Sequence, residues 1–286
     1  MLLEIRELGF EYAELSHGIR ISLLPGIFQA VEAGEIKIST LHNFCPLPMG
    51  VNHAAPNIFK FTSEDRRERE NAWRHTLKTL ETAERVKAKL VVLHMGEIEM
   101  KEYTDRLIEM VGAGMKESPK YEKLCLEAIE KRETKKDRFV ELANEMLKKI
   151  EEEAARRGLM LGIENREALE EIPLETDFMF FFRDFPGNTV RYWHDCGHAQ
   201  IKQNLGFIDH QMHLESLAEQ LAGFHIHDVQ FPGRDHCAPG TGDIDFAALK
   251  PVVKPEHIKV FEMSPGLTRE QAVAGVAHVK AIWGEE

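Results

Sequence analysis

Seven short apolar runs, rich in β-branched residues, alternate along the sequence with longer stretches of helical spacing. We predict strands at 12–16, 36–42, 90–95, 159–164, 190–195, 223–228 and 258–263. Between them, apolar residues recur every three or four positions, as at Trp73, Leu77 and Leu80. Strand–helix alternation of this kind restricts the chain to an open doubly wound sheet or a (β/α)8 barrel.

The strand ends distinguish these two architectures. Nearly every predicted strand finishes in polar or ionisable residues, namely His42, His94, Glu164, Asp195, His225 to Asp228, and Glu262. In a barrel, all strand ends converge on one mouth, where the active site forms. No G-x-G-x-x-G or G-x-x-x-x-G-K-[ST] motif follows a strand, so the usual marker of a nucleotide-binding open sheet is missing. We therefore predict a TIM barrel.

The predicted barrel has seven strands where eight are expected. The chain opens with LLEIRELGF, which is typical of a helix followed by the turn residue Gly9. The first strand is therefore expected to be missing or replaced, through a truncated start or through closure by another segment. Because α/β barrels of this length form one domain, we expect residues 1–286 to be a single domain.

A highly charged stretch at 99–137 separates the third strand from a helix predicted at 139–157. We predict one or two extra helices there, inserted close to the barrel mouth. Two interpretations stay open. The stretch is either a solvated helical face or a lid that covers the substrate.

Three carboxylates are candidate metal ligands. Glu164 and Glu262 each follow an apolar strand, where a carboxylate is costly unless it is paired or bound to metal. Asp195 ends a strand and is followed three residues later by His198, which places both groups on the turn leaving the barrel. Such a pair can bind one cation, or bind a cation and a substrate oxygen.

His225 and His227 share one face of their strand, because residues i and i+2 point the same way. We expect one of them to bind the metal and the other to contact the substrate or support the ligands. A pair of satisfied core histidines is the alternative.

Four further polar residues are candidates for the same mouth. Arg234, in a glycine-rich loop before a helix predicted at about 244–250, could clamp a substrate carboxylate or phosphate. His42 and His94 are expected to contact substrate. Together with His236 they could create a second metal position.

These motifs occur in an order that resembles the xylose isomerase-like TIM-barrel superfamily. That group includes sugar phosphate isomerases and epimerases, hydroxypyruvate isomerase and the family 2 AP endonucleases such as endonuclease IV. The resemblance extends from about Leu8 to the end of the chain. The motifs are Ile163-Glu164-Asn165, Asp-x-x-His from Asp195 to His198, His-x-His-Asp from His225 to Asp228, Pro-Gly-x-Gly-x-Ile-Asp-Phe from Pro239 to Phe246, and Glu-x-Ser-Pro from Glu262 to Pro265.

The resemblance implies one divalent metal ion held by Glu164, Asp195, Glu262 and a histidine. The endonuclease-like pattern favours His225 as that histidine, and the hydroxypyruvate isomerase pattern favours His227; we prefer His225 and keep both. His198 would orient a substrate oxygen. A carboxylate-rich site of this kind accepts Mn²⁺, Mg²⁺, Co²⁺ or Zn²⁺.

The activity implied is isomerisation or epimerisation of a sugar, ketose or polyol. Glu164 and Glu262 would transfer the proton, and the metal would stabilise the enediolate. The alternatives are an endonuclease IV-like zinc phosphodiesterase acting on abasic DNA and a non-catalytic sugar-binding barrel. A net charge of −12 disfavours binding to nucleic acid, and Arg234 stands where the nuclease pattern has Asp.

The same sequence predicts the cellular location and the partners of the protein. The first ten residues do not form a signal peptide, and there is no run of about 18 apolar residues, so we expect a cytoplasmic protein without a membrane segment. The expected partner is a small carbohydrate or polyol. Assembly into a homo-oligomer stays open.

Overall fold

The computed structural model describes residues 2–284. The chain divides into two compact units. Unit 1 comprises Met1–Glu97, Arg138–Glu164 and Met179–Arg191, and unit 2 comprises Ile98–Asp137, Asn165–Phe178 and Tyr192–Glu286.

Helices and strands alternate along the described residues. The strands are β1 (Tyr12–Leu15), β2 (Lys37–His42), β3 (Leu90–Leu93), β4 (Met160–Glu164), β5 (Val190–Asp195), β6 (Leu221–Ile226), β7 (Asp228–Gln230), β8 (Arg234–Cys237) and β9 (Ile258–Phe261). The helices are α1 (Leu2–Glu7), α2 (Leu24–Glu32), α3 (Arg66–Val86), α4 (Thr104–Gly112), α5 (Pro119–Arg156), α6 (Phe178–Asp184), α7 (Cys196–Leu205), α8 (His210–Ser216), α9 (Phe246–Leu249) and α10 (Arg269–Trp283).

Unit 1 contains a parallel sheet with the order β1-β2-β3-β4. Leu41 pairs with Val91, and Val91 with Leu161, so the strand centres are in register. These three side chains are fully buried. Parallel strands covered on both faces need continuous apolar runs, which explains the sequence pattern. The register places the last residues of β2 and β4 at the same edge.

In unit 2, strands β5, β6 and β9 pair in parallel in that order. Only the last four residues of β5 belong to this unit. Asp195 pairs with His225, and Ile226 pairs with Phe261. The amide of Glu262 continues the ladder by donating to the carbonyl oxygen of Ile226 at 3.1 Å. Because the strands run the same way, Asp195, His225 and Glu262 lie at one edge.

The seven predicted strands are all present, and their bounds agree with the structure to within two residues. The chain begins with α1 and the turn at Gly9 (φ +93°), and within residues 2–284 no eighth strand joins the parallel pairing. One hairpin was not predicted: β7, which starts at the end of the strand predicted at 223–228, pairs antiparallel with β8 in the glycine-rich loop. A hairpin of three- and four-residue strands is too short to leave a clear sequence pattern.

The charged insertion at 99–137 also differs from the predicted structure in one respect. We expected extra helices separate from a helix at 139–157, but α5 is one helix of 38 residues that runs through both segments. Only α4 is a separate helix. The charged run contains no glycine or proline after Pro119, so nothing in it interrupts the helix. The helix predicted at 244–250 is the shorter α9, followed by a 3-10 turn at Lys250–Val252.

No helix within the described residues combines the length and the apolar character that are needed to cross a membrane.

Candidate active site

In unit 1, the ends of β2 and β4 and the residue after β3 bring three ionisable side chains together. The Nε2 atoms of His42 and His94 are 3.0 Å apart, and His94 Nε2 is 2.7 Å from a carboxylate oxygen of Glu164. His42 Nε2 lies 3.5 Å from the same oxygen. No more than a tenth of any of the three side chains is exposed.

The second ring nitrogens fix the form of these histidines. His42 Nδ1 bonds the carbonyl oxygen of Asn43 at 2.7 Å, and His94 Nδ1 bonds the amide oxygen of Asn57 at 2.9 Å. Because both oxygens only accept, each Nδ1 carries the hydrogen. The Nε2 atom of each ring therefore faces the Glu164 carboxylate, an arrangement that a cation or a shared proton would stabilise.

In unit 2, Asp195, His225 and Glu262 form a second group, whose ligand atoms all lie within 4.8 Å of one another. His225 Nδ1 is 3.0 Å from a carboxylate oxygen of Glu262 and 3.8 Å from one of Asp195. Asp195 and His225 are fully buried, whereas 22% of the Glu262 side chain is exposed. Two carboxylates and an imidazole at the end of three strands match the donors of a divalent metal.

His227 lies beside this group but is bonded differently. Its Nε2 is 3.1 Å from both oxygens of Asp195, and its Nδ1 accepts the backbone N–H of His236 at 2.9 Å. Since Nδ1 accepts, Nε2 must carry the hydrogen that is donated to Asp195. Burial opposes protonation, but the charge of Asp195 raises the pKa of His227 above its ordinary value. Both nitrogens of His227 are thus engaged by the protein.

Gly197 makes this approach of His227 achievable. A Cβ at residue 197 would lie 2.0 Å from Cε1 of His227, so any larger residue would displace the ring. The sequence pattern Asp-x-x-His identified the two ends of this turn but not the reason for its glycine.

Asn165 orients Asp195 and was missed at the sequence level. Its side-chain oxygen accepts the backbone N–H of Asp195 at 2.7 Å, and its side-chain nitrogen donates to the carbonyl oxygen of Asp195 at 2.9 Å. The carboxylate of Asp195 in turn accepts the backbone N–H of His198 at 2.7 Å and caps α7. The sequence did offer a signal for Asn165, because this residue directly follows the candidate ligand Glu164.

A third group contains His198 and two acids that the sequence did not single out, Glu167 and Asp235. One ligand atom from each lies within 4.8 Å of the others. Burial, followed by the charges of Asp235 and Glu171, raises the pKa of Glu167 to about 7. Burial would raise the pKa of Asp235 as well, but its hydrogen bond with His236 lowers it.

His236 and Arg234 lie in β8 of unit 2. Burial would lower the pKa of His236, but the hydrogen bond with Asp235 and the charges of Asp195, Asp235 and Glu262 raise it to about 9. Its ring stacks on His227 with centroids 4.2 Å apart. The prediction that His236 joins His42 and His94 at a second metal position stays a prediction, and His42 and His94 gather around Glu164 in unit 1. Arg234 is exposed, and its role stays a prediction.

Asp228 holds the glycine-rich loop. Its fully buried carboxylate accepts four backbone N–H groups, from Val229, Gly240, Gly242 and Ile244, at 2.8–3.1 Å. A Cβ at residue 242 would lie 2.2 Å from the carbonyl oxygen of Val229, so this approach requires glycine. Asp228 therefore accounts for the two glycines of the motif from Pro239 to Phe246.

Comparison with known proteins identifies the family to which the chain belongs. The family model described as xylose isomerase-like TIM barrel matches residues 2–281, and the chain belongs to this family. The predicted barrel fold and the predicted superfamily are confirmed by this match. No curated protein matches the chain.

Solved structures share the fold at low sequence identity. A D-tagatose 3-epimerase-like protein is 16% identical, with a TM-score of 0.70 over 98% of this chain and 91% of the other. The 3-keto-D-glucoside 4-epimerase YcjR from E. coli is 16% identical, with a TM-score of 0.69 over 98% and 92%. The TTHB071 protein from Thermus thermophilus, soaked with ZnCl2, is 20% identical, with a TM-score of 0.63 over 99% and 92%.

Proposed function

We propose that the chain is a divalent-metal-dependent isomerase or epimerase that acts on a sugar, ketose or polyol. The observation that supports this best is the convergence of Asp195, His225 and Glu262, two of them fully buried, at the ends of parallel strands. Membership of the xylose isomerase-like family and the epimerases among proteins of the same fold support the choice of reaction. The proposal treats residues 1–286 as one catalytic domain.

We assign the metal to Glu164, Asp195, His225 and Glu262. Carboxylates and one imidazole fit Mn²⁺, Mg²⁺, Co²⁺ or Zn²⁺, and burial of Asp195 and His225 is costly without a cation. The metal would polarise neighbouring carbonyl and hydroxyl oxygens of the substrate as a Lewis acid.

His225 is preferred to His227 as the ligand because of their hydrogen bonds. His227 donates from Nε2 to Asp195 and accepts at Nδ1 from the backbone of His236, so neither nitrogen is available without breaking a bond. His225 instead has Nδ1 close to the carboxylates of Asp195 and Glu262. His227 would hold Asp195 in place, which is the usual role of a residue that contacts a ligand rather than the metal.

Glu164 and Glu262 would move the proton. One carboxylate removes a proton from the carbon next to the carbonyl, and the other returns it, which gives an isomer or an epimer. Glu262 is the more accessible of the two, with 22% of its side chain exposed against 1% for Glu164. His198, His227, Arg234, His42 and His94 would orient the substrate oxygens.

Replacing Glu164→Gln and Glu262→Gln tests this function, because glutamine keeps the shape and loses the base. Each variant should lower the incorporation of solvent deuterium into a panel of ketoses, including tagatose, psicose and ribulose, by about 10²–10⁴-fold. Glu215→Gln, at an exposed acid on α8, is the control and should exchange normally. Exchange at the wild-type rate in both active-site variants would refute the proposed role.

A zinc phosphodiesterase is the second candidate, and the group of His42, His94 and Glu164 favours it because it offers donors for an additional metal. Two or three tightly bound zinc ions and nicking of abasic DNA would support this function. The net charge of −12 opposes it.

A further inference from the structure

We propose that Asn204 is a positioning residue for the candidate active site, because it joins α7 to the β7–β8 hairpin and so fixes the backbone that holds His227. Its side-chain nitrogen donates to the carbonyl oxygen of Pro232, in the turn of the hairpin, at 3.0 Å. This positioning role rests on the proposed function, because the hairpin supports the same candidate metal site.

The backbone of His236 in β8 connects the hairpin to two parts of that site. Its N–H donates to Nδ1 of His227 at 2.9 Å, and its carbonyl oxygen accepts the N–H of Ser264, two residues after Glu262, at 2.9 Å. The first bond leaves the Nε2 hydrogen of His227 for Asp195. A shift of the hairpin would therefore disturb both the support of Asp195 and the segment that follows Glu262.

Helix α7 contacts His227 as well. Asp195 caps the first turn of α7, and a Cβ at Gly197 would lie 2.0 Å from Cε1 of His227. The imidazole ring therefore contacts both α7 and the hairpin, and it keeps its place only while these two elements keep their separation. Asn204, in the last turn of the same helix, provides a direct bond between them.

The orientation of the Asn204 amide is fixed by its two neighbours. The carbonyl oxygen of Pro232 only accepts, so the side-chain nitrogen must face it and the side-chain oxygen must face Gln200. The side-chain nitrogen of Gln200 donates to that oxygen at 2.9 Å, which leaves the Gln200 oxygen to accept from Nδ1 of His210 at 3.2 Å. All three side chains are buried, so a reversed amide would leave unsatisfied polar atoms in the core.

The same order of donors continues to His194. Burial lowers the pKa of His210 to about 3, so this ring is neutral, and with its hydrogen on Nδ1 its Nε2 only accepts. His194 Nε2 is 2.9 Å away and must therefore carry a hydrogen. One carbonyl oxygen of the hairpin thus determines the hydrogen positions in a row of four buried side chains, those of Asn204, Gln200, His210 and His194.

Helix α4 leaves the turn of the hairpin little room to move. A Cβ at Gly233 would lie 3.1 Å from Cδ1 of Ile108, and a Cβ at Gly112 would lie 3.4 Å from Cγ of Pro232. Ile108 and Gly112 both belong to α4. Apolar contact with α4 and the hydrogen bond from Asn204 together define where the turn lies.

Amide hydrogen exchange in Asn204→Leu is the first test. Leucine keeps the approximate volume but cannot donate to Pro232, so we expect the amide of His236 to exchange about tenfold faster than in the wild type. The amide of Tyr192, which donates to the carbonyl oxygen of Gln220 at 2.8 Å, should keep its rate.

Asn144→Leu is the control for this substitution. Asn144 is half-buried on α5, and its side-chain oxygen has no hydrogen-bond partner within the described residues, so the variant should leave the His236 amide unchanged. An unchanged rate for the His236 amide in Asn204→Leu would overturn the proposal. Equal acceleration of the His236 and Tyr192 amides would also overturn it, because it would show a general loss of stability.

Long-range ¹H–¹⁵N spectra of the wild type are the second test and need no variant. We expect the hydrogen of His210 on Nδ1, and a hydrogen on Nε2 of His194. The opposite tautomer of His210 would turn both amides round and put the oxygen of Asn204 against the carbonyl oxygen of Pro232, which would overturn the proposal. Neither test measures metal binding or turnover, so each can fail or succeed independently of the proposed isomerase activity.

Discussion

At the scale of single residues, the assignment of roles depends on hydrogen positions. His225 and His227 share a strand face, but the backbone N–H of His236 makes Nδ1 of His227 an acceptor. This leaves the Nε2 hydrogen of His227 for Asp195. The sequence left the two histidines as alternatives, because the deciding N–H comes from a hairpin nine residues further along that was not predicted.

Gly197→Ala tests the close approach of α7 to His227. The added Cβ would lie 2.0 Å from the ring and would push it away from Asp195. Overpacking of this kind costs about 1–3 kcal/mol, so the urea midpoint should fall and the proposed metal site should weaken. Gly187→Ala is the control, because a Cβ there meets nothing within 4 Å. Equal midpoints for the two variants would show that His227 has room to move.

At the scale of elements, β5 and α8 share a buried network without charge. Tyr192 OH lies 2.8 Å from both His194 Nδ1 and His213 Nε2, and His194 Nε2 lies 2.9 Å from His210 Nε2. Burial lowers the pKa of His210 to about 3 and that of His213 to about 4; nearby Glu175 raises the latter, and Lys202 lowers it. These histidines therefore stay neutral in the folded chain.

This network predicts acid sensitivity. The ordinary histidine pKa is about 6.5, so between pH 6.5 and 4 the unfolded chain binds more protons and the free energy of unfolding falls as pH falls. For His213 the full effect is about 3 kcal/mol. In urea titrations from pH 7 to 4.5, His213→Gln should flatten this dependence, whereas the exposed His53→Gln should not. His210 still contributes to the dependence in His213→Gln, so a dependence as steep as that of the wild type would contradict the assignment.

The charged insertion shows where element-level prediction fails. Its exposed residues form the solvated face that its composition indicates, but Arg132 is completely buried and is 2.8 Å from a carboxylate oxygen of Asp177. A charged run indicates solvent exposure because isolated buried charges are costly. That expectation fails for Arg132 because its acceptors lie in a segment about 40 residues away.

Arg132→Met should therefore be strongly destabilising. The Asp177 carboxylate would lose the guanidinium of Arg132. Removing one partner of a buried ion pair lowers the free energy of unfolding by about 3–5 kcal/mol. Arg138→Met, at an exposed position of the same helix, is the matched control and should change stability by less than about 0.5 kcal/mol. Chemical unfolding of the two variants distinguishes them, and similar values would mean that Arg132 does not brace the segment.

At the scale of the whole chain, the strands were predictable because each is a continuous apolar run that ends in polar residues. The candidate ligands at those ends could be singled out for the same reason, since Asp195, His225 and Glu262 interrupt apolar patterns. Glu167 and Asp235, which approach His198, were not singled out, because each lies in a polar part of the sequence where an acid is ordinary. Their neighbours depend on contacts between distant segments.

The proposed function requires a divalent metal that is bound through His225 and supported by His227. Calorimetric titration of Mn²⁺ into the metal-stripped protein measures this binding. We expect His225→Ala to abolish the tightest Mn²⁺ site, and His227→Gln to weaken that site by only about 10–100-fold, because His227 contacts a ligand and not the metal. Tight binding that survives in His225→Ala and disappears in His227→Gln would contradict the account.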